Sequence, residues 1–188
     1  FGGTRVGMVA HWPKGIQDKG KIREQFSHVI DIAPTILELA GLPEPTFVHG
    51  VMQKPIEGVS MAYAFDDADA GEHRETQYFE CMGNRGIYYK GWSAVTKHYT
   101  PWINAPRPAF DDDVWELYKV DEDFSQANDL AAKNPGKLRA LQDEWWAAAS
   151  KFNVLPLDGR KTERLSAALQ GRPTLTGART SFTYYPGT

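Results

Sequence analysis

Residues 76–97 read TQYFECMGNRGIYYKGWSAVTK, and this stretch decides the architecture. Residues 76–82, 85–90 and 92–97 are short runs rich in aromatic and β-branched side chains, separated by turns that contain glycine. Such side chains suit a pleated, half-buried surface, and glycine turns of this length join antiparallel neighbours. The spacing predicts a three-strand meander with Gly83-Asn84 as its first turn. After a long loop rich in proline and aromatic residues, residues 115–120 supply a fourth strand centred on Leu117 and Tyr118.

Working outward toward the C-terminus, Asn134-Pro135 has the form of an N-cap followed by proline at the first helical position. Leu138, Leu141, Trp145, Ala148 and Phe152 then fall on one face at helical spacing. Burying Trp145 and its neighbours against the sheet stabilises by roughly 2 kcal/mol per large side chain. Strands followed by one helix predict a small α+β layer. Beyond Asp158 the apolar periodicity disappears, and residues 159–188 read as an extended arm.

Toward the N-terminus, residues 5–12 hold Val6, Met8, Val9 and Ala10 ahead of Pro13. They are expected to form a strand of a sheet covered on both faces. Residues 14–23 are a solvated loop. A helix is predicted over residues 31–40, with Asp31 as N-cap, Pro34 in the first turn, Gly41 at the left-handed C′ position, and Ile36, Leu37, Leu39 and Ala40 as its buried face. A shorter helix is expected over residues 60–65. The chain is therefore expected to divide into an α/β part (1–75), an α+β part (76–158) and the arm (159–188).

Composition narrows the function. A net charge of −3, with Lys and Arg dispersed among Asp and Glu, argues against a nucleic-acid partner. The 41% apolar content and a mean hydropathy of −0.48 describe a soluble chain, and no run approaches the roughly 20 apolar residues needed to span a bilayer. No membrane partner is expected. The single cysteine, Cys81, rules out an intrachain disulfide and fits a cytoplasmic protein and a disulfide-poor exported one equally. An opening on Phe1-Gly2-Gly3 reads as a cut inside a longer protein.

Few residues look chemical. Cys81 stands four residues before Arg85, and its place at the end of a strand argues for an unmodified thiol that behaves as a small hydrophobe. The histidines at 11, 28, 49, 73 and 98 form no metal-binding helical pair. Asp111-Asp112-Asp113 and Asp66-Asp67-Ala68-Asp69 lack the spaced ligands of a calcium loop and read as solvated acidic loops. Gly2-Gly3-Thr4-Arg5 lacks the lysine and glycine spacing of a phosphate cradle. Arg5 reads as a turn anchor, with sulfate binding as the alternative.

Several segments in order do resemble a known family: Phe1 to Val6, Val9 to Pro13, Ser27 to Leu37 with Gly41, Gln53 to Ser60, Gly83 to Tyr88, Lys90-Gly91-Trp92, Glu116-Leu117-Tyr118 and Asn128 to Ala131. Together they resemble type I sulfatases of the alkaline-phosphatase superfamily, in particular the larger bacterial arylsulfatases. The resemblance implies the fold class α/β plus α+β: the last strand and helices of an alkaline-phosphatase-like domain, then a small four-stranded antiparallel sheet with a packed C-terminal helix.

It also implies a formylglycine nucleophile, a calcium ion that polarises the sulfate, and Lys and His groups that stabilise charge. In the family these precede the Gly-Gly-x-Arg turn, so no catalytic, cofactor-binding or metal-binding residue is carried over to this chain, and the chain alone is expected to bind no calcium. The expected activity of the parent protein is hydrolysis of a small-molecule sulfate ester. The alternatives are a phosphodiester or phosphonate monoester hydrolase of the same superfamily, or a non-catalytic binding or assembly module. The loop over residues 97–110, with Pro101, Pro106 and Pro108, is of the kind that carries specificity on a rigid scaffold. His98, Tyr99 and Trp102 are its candidate pocket-rim residues, and covering the small sheet is the alternative role for these aromatics. Oligomeric state is left open.

Overall fold

The computed structural model describes residues 5–160. These divide into two compact units, residues 5–75 and 76–160.

In the second unit, β3 (Thr76–Cys81), β4 (Asn84–Tyr89), β5 (Trp92–Thr96) and β6 (Trp115–Lys119) form an antiparallel sheet in the order β3-β4-β5-β6. Both tight hairpins close through two residues with positive φ: Met82 (53°) with Gly83 (87°), and Lys90 (45°) with Gly91 (77°). This mirror-image turn matches the twist of the strands it joins and favours glycine at its second position. The first turn is therefore Met82-Gly83 rather than Gly83-Asn84, because Asn84 already pairs with Cys81. Cys81 is a free thiol, exposed at the strand end.

Register brings Ile87, Ala94 and Leu117 side by side on one face. Helix α2 (Pro135–Lys151) covers them with Leu141, Trp145 and Ala149, and this buried cluster is the core of the unit. Leu138 packs at its edge. The Trp145 indole Nε1–H donates to the Phe79 carbonyl at 3.0 Å, so the largest core side chain also has its polar atom satisfied. Proline begins α2 as expected, although the Asn134 side chain caps no helical N–H.

In the first unit, a 3₁₀ turn (Val29–Asp31) leads into α1 (Ile32–Leu39). Gly41, at φ 65°, ends α1: its N–H reaches the Glu38 carbonyl at 3.0 Å and the Leu42 N–H reaches that of Leu37 at 2.9 Å. This is the double bond pattern of a glycine-terminated helix. A two-residue-per-strand hairpin, β1 (Phe47–Val48) with β2 (Val51–Met52), follows, and the predicted helix over 60–65 is a single 3₁₀ turn, Ala62–Ala64.

Two expectations for this unit need correction. Residues 5–12 form no strand; Val9 is 95% exposed and Val6 and Met8 are exposed too. A strand exists only with a neighbour to take its N–H and C=O groups, and the described residues of this unit provide none. The apolar face of α1 is likewise only partly buried: Leu37 and Leu39 are half-buried, while Ile36 and Ala40 are exposed and Thr35 is the buried residue of the helix. Periodicity marks which face is apolar, but burial needs an opposing layer. Among the described residues no helix is long and apolar enough to cross a membrane. Most of the expected arm, residues 161–188, lies outside the described residues.

Candidate functional site

The most elaborate side-chain cluster of the second unit sits beyond the paired ends Thr96 and Trp115 of β5 and β6. Arg85 on β4 forms a buried ion pair with Asp113, the residue after the 3₁₀ turn Phe110–Asp112. His98 points at the same carboxylate, its Nδ1 3.0 Å from both oxygens. An ionised carboxylate only accepts, so this contact requires the proton on Nδ1. The side chains of Asp113 and His98 are each 2% exposed.

Aromatic rings enclose the guanidinium. The Arg85 Cζ lies 5.4 Å from the ring centres of both Phe110 and Trp115, 5.7 Å from Trp145 and 5.8 Å from Trp146. Phe110 also stacks on the His98 ring at 4.1 Å. Such contacts favour a cation that has left water, and together with Asp113 they compensate the burial of Arg85. The β3–β4 turn completes the cluster. Asn84 Oδ1 accepts from the backbone N–H of His98 at 3.0 Å and of Tyr99 at 3.4 Å. A Cβ on Gly83 would come within 2.7 Å of the His98 ring, so only glycine fits there.

The three rim candidates are thus separated. His98 and Tyr99 lie together at the base of the loop, their rings edge to face at 5.5 Å. Trp102 is 82% exposed and takes no part in the cluster. An imidazole oriented by a carboxylate has the form of a general base with its partner. With so little of its side chain exposed, His98 can reach no substrate proton and instead ties the two ends of the loop together.

Sequence reasoning missed Arg85 and Asp113. In the sequence Arg85 stands out for its spacing from Cys81 and as part of a strand, and Asp113 reads with Asp111 and Asp112 as a solvated loop. Asp111 and Asp112 are exposed, but the Asp113 side chain is buried. Arg85 and Asp113 lie 28 residues apart, and no local pattern links them.

A second buried pair organises the first unit. Asp31 receives the Arg74 guanidinium, with Nε at 2.9 and 2.8 Å from its two oxygens, and the backbone N–H groups of Val59 at 2.7 Å and His28 at 2.8 Å. Burial raises the pKa of this carboxyl, but Arg74 and the two N–H donors outweigh burial and hold it below the usual carboxylate range. Burial, followed by the charge of Arg74, pushes the His28 imidazole down. Asp31 thus serves as a tie between segments. Arg5 is exposed. Among the described residues no three His, Cys, Asp or Glu side chains come together to hold a metal ion.

Comparison with known proteins places these features in a family. The profile described as N-sulphoglucosamine sulphohydrolase, C-terminal, matches residues 2–145. An uncharacterized sulfatase of Schizosaccharomyces pombe is 27% identical, the match covering 82% of this chain and 26% of that protein. A sulfatase of Formosa agariphila is 25% identical over 72% of this chain and 24% of its own length. The chain therefore spans about a quarter of the length of the curated relatives it matches. Among solved structures, Ps i-CgsB aligns with a TM-score of 0.54, and its complex with k-i-k-neocarrahexaose with 0.57. Each is 21% identical and covers 87% of this chain and 33% of the other. At this level of identity the likeness is one of fold.

Proposed function

We propose that this chain, which belongs to the N-sulphoglucosamine sulphohydrolase C-terminal family, is the later part of an enzyme that hydrolyses sulfate monoesters in the manner of an arylsulfatase. The observation that carries this reading is the family match over residues 2–145, supported by sulfatase relatives that align along most of the chain. The formylglycine nucleophile and the calcium ion then come from outside the 188 residues. What this chain contributes is scaffold and pocket wall, with the Arg85–Asp113 and Asp31–Arg74 pairs as its ties.

In this reading the loop over residues 97–110 borders the pocket, and the exposed Trp102 packs on the organic group of the ester. An indole face against an aryl ring is worth about 1 kcal/mol beyond its area, roughly a fivefold effect on kcat/KM. The test uses the protein that contains this chain. An aryl sulfate and an aryl phosphonate are assayed in parallel, and preference for the sulfate is expected. Trp102→Ala is expected to lower kcat/KM about fivefold for bulky aryl sulfates and much less for small ones, with little change in Tm. Preference for the phosphonate overturns the reaction class. Equal losses across substrates, or a Tm lower by several degrees, remove Trp102 from the pocket.

A further inference from the structure

Two segments that stand apart in the sequence, Glu116-Leu117-Tyr118 and Asn128 to Ala131, meet at the outer edge of the sheet. β6 is the last strand in the order β3-β4-β5-β6. Opposite residues in an antiparallel pair alternate between exchanging two hydrogen bonds and exchanging none. Leu117 lies opposite Ala94, yet its backbone polar groups are taken elsewhere: its N–H donates to Asp129 Oδ1 at 3.0 Å, and its C=O accepts from the Leu130 N–H at 2.8 Å. Those groups therefore point out from the edge, and Lys119, two residues on, points the same way. The Lys119 C=O accepts from the N–H groups of Glu122 at 3.1 Å and Asp123 at 2.7 Å.

The covering segment is itself fixed. Asp123 accepts from the N–H groups of Asn128 at 2.8 Å and Ala127 at 3.2 Å and from the Ser125 hydroxyl at 3.2 Å. Asp129 Oδ1 accepts a second N–H, that of Ala131, at 2.9 Å. Leu130 and Ala131 pack against the core, and the Leu130 C=O accepts from the Asn134 N–H at 2.9 Å where α2 begins.

From this geometry we infer that Asp129 to Ala131 guards the outer edge of β6: it occupies the backbone groups through which a second copy of this chain would otherwise pair strand to strand. An open strand edge is a template for another strand, and a carboxylate with one backbone N–H imitates a single residue of a neighbouring strand without offering an edge of its own. A second copy is the partner that the bare edge suits. Two-fold pairing centred on Leu117 would set Trp115 beside Lys119 and Glu116 beside Tyr118 of the copy, so no like charges would meet. Asp129 is exposed, so water can replace it on the Leu117 N–H, and its removal opens the edge without unfolding the unit. The guard is independent of the reaction that the parent protein carries out.

The test is sedimentation over a concentration series, with hydrogen exchange at Leu117, on the protein that contains this chain. Asp129→Ala is expected to form species of roughly twice the native mass as concentration rises. At the lowest concentration its Leu117 amide is expected to exchange about tenfold faster than in the native protein, and to slow again as the larger species form, with the Ile87 amide of β4 unchanged. Asp129→Asn keeps the acceptor oxygen and is expected to match the native protein in both measurements. Should Asp129→Ala speed Ile87 as much as Leu117, the unit has opened as a whole. Asp123→Ala then loosens the segment with Asp129 in place, and a smaller acceleration at Leu117 with weaker association is expected. Unchanged Leu117 exchange, faster exchange with no larger species at any concentration, or association of Asp129→Asn to the extent of Asp129→Ala overturns the guard.

Discussion

Asp31→Ala offers the sharpest test of how the first unit holds together. The native carboxylate is 1% exposed and takes the Arg74 guanidinium together with the N–H groups of Val59 and His28. Removing it leaves a buried guanidinium short of its counter-charge, which costs roughly 3–5 kcal/mol. Two backbone donors also lose their acceptor, at about 1 kcal/mol each where water does not replace it. A loss of about 4 kcal/mol is expected, since part of this cost relaxes as the site opens to water. Arg74→Met strands the carboxylate instead and is expected to cost about 3 kcal/mol. The double variant removes both charges, so its cost should fall short of the sum by about 2 kcal/mol. Amide exchange of α1 reads each cost for this unit alone. Single costs below about 1 kcal/mol, or a double variant additive within about 0.5 kcal/mol, would falsify the reasoning. The same pair sets an acid limit. Because the folded carboxyl titrates below its ordinary value of 3.8, its contribution is fully present above that pH and is lost as pH falls through the lower folded value. Asp31→Ala should lack this part of the acid unfolding curve.

Trp145→Ala removes a fully buried side chain and its bond to the Phe79 carbonyl, with an expected cost of about 3–5 kcal/mol in the second unit, read from amide exchange of β4 and β5. A cost below about 1 kcal/mol would mean that α2 is not the cover of this sheet. Tyr118 is pushed up to about 12 by burial and by its hydrogen bond to Glu116. In an alkaline absorbance titration one of the eight tyrosines should ionise well after the exposed ones, and Glu116→Gln should bring it down. Ionisation of Tyr118 together with the exposed tyrosines would contradict its placement.

The parts of the fold legible in the sequence are those set by local chemistry. Gly83 and Gly91 sit where a two-residue turn needs positive φ, so the boundaries of β3, β4 and β5 follow from the spacing of aromatic runs between them. Pro135 and the Leu141–Trp145 spacing fix the start and the inner face of α2, and Gly41 fixes the end of α1. Each of these depends on a residue and its neighbours within a turn or two.

The features that tertiary structure alone decides depend on partners far along the chain. Arg85 meets Asp113 because register places the end of β4 beside the exit of the loop before β6, and Asp31 meets Arg74 across 43 residues. No period in the sequence marks either pair. The apolar residues of 5–12 show the converse: their pattern is that of a buried strand, yet within their unit they are exposed, and on α1 Ile36 is exposed while Leu37 and Leu39 are only half-buried. Local sequence determines which surface is apolar, but a second surface must be opposite before that pattern becomes a core.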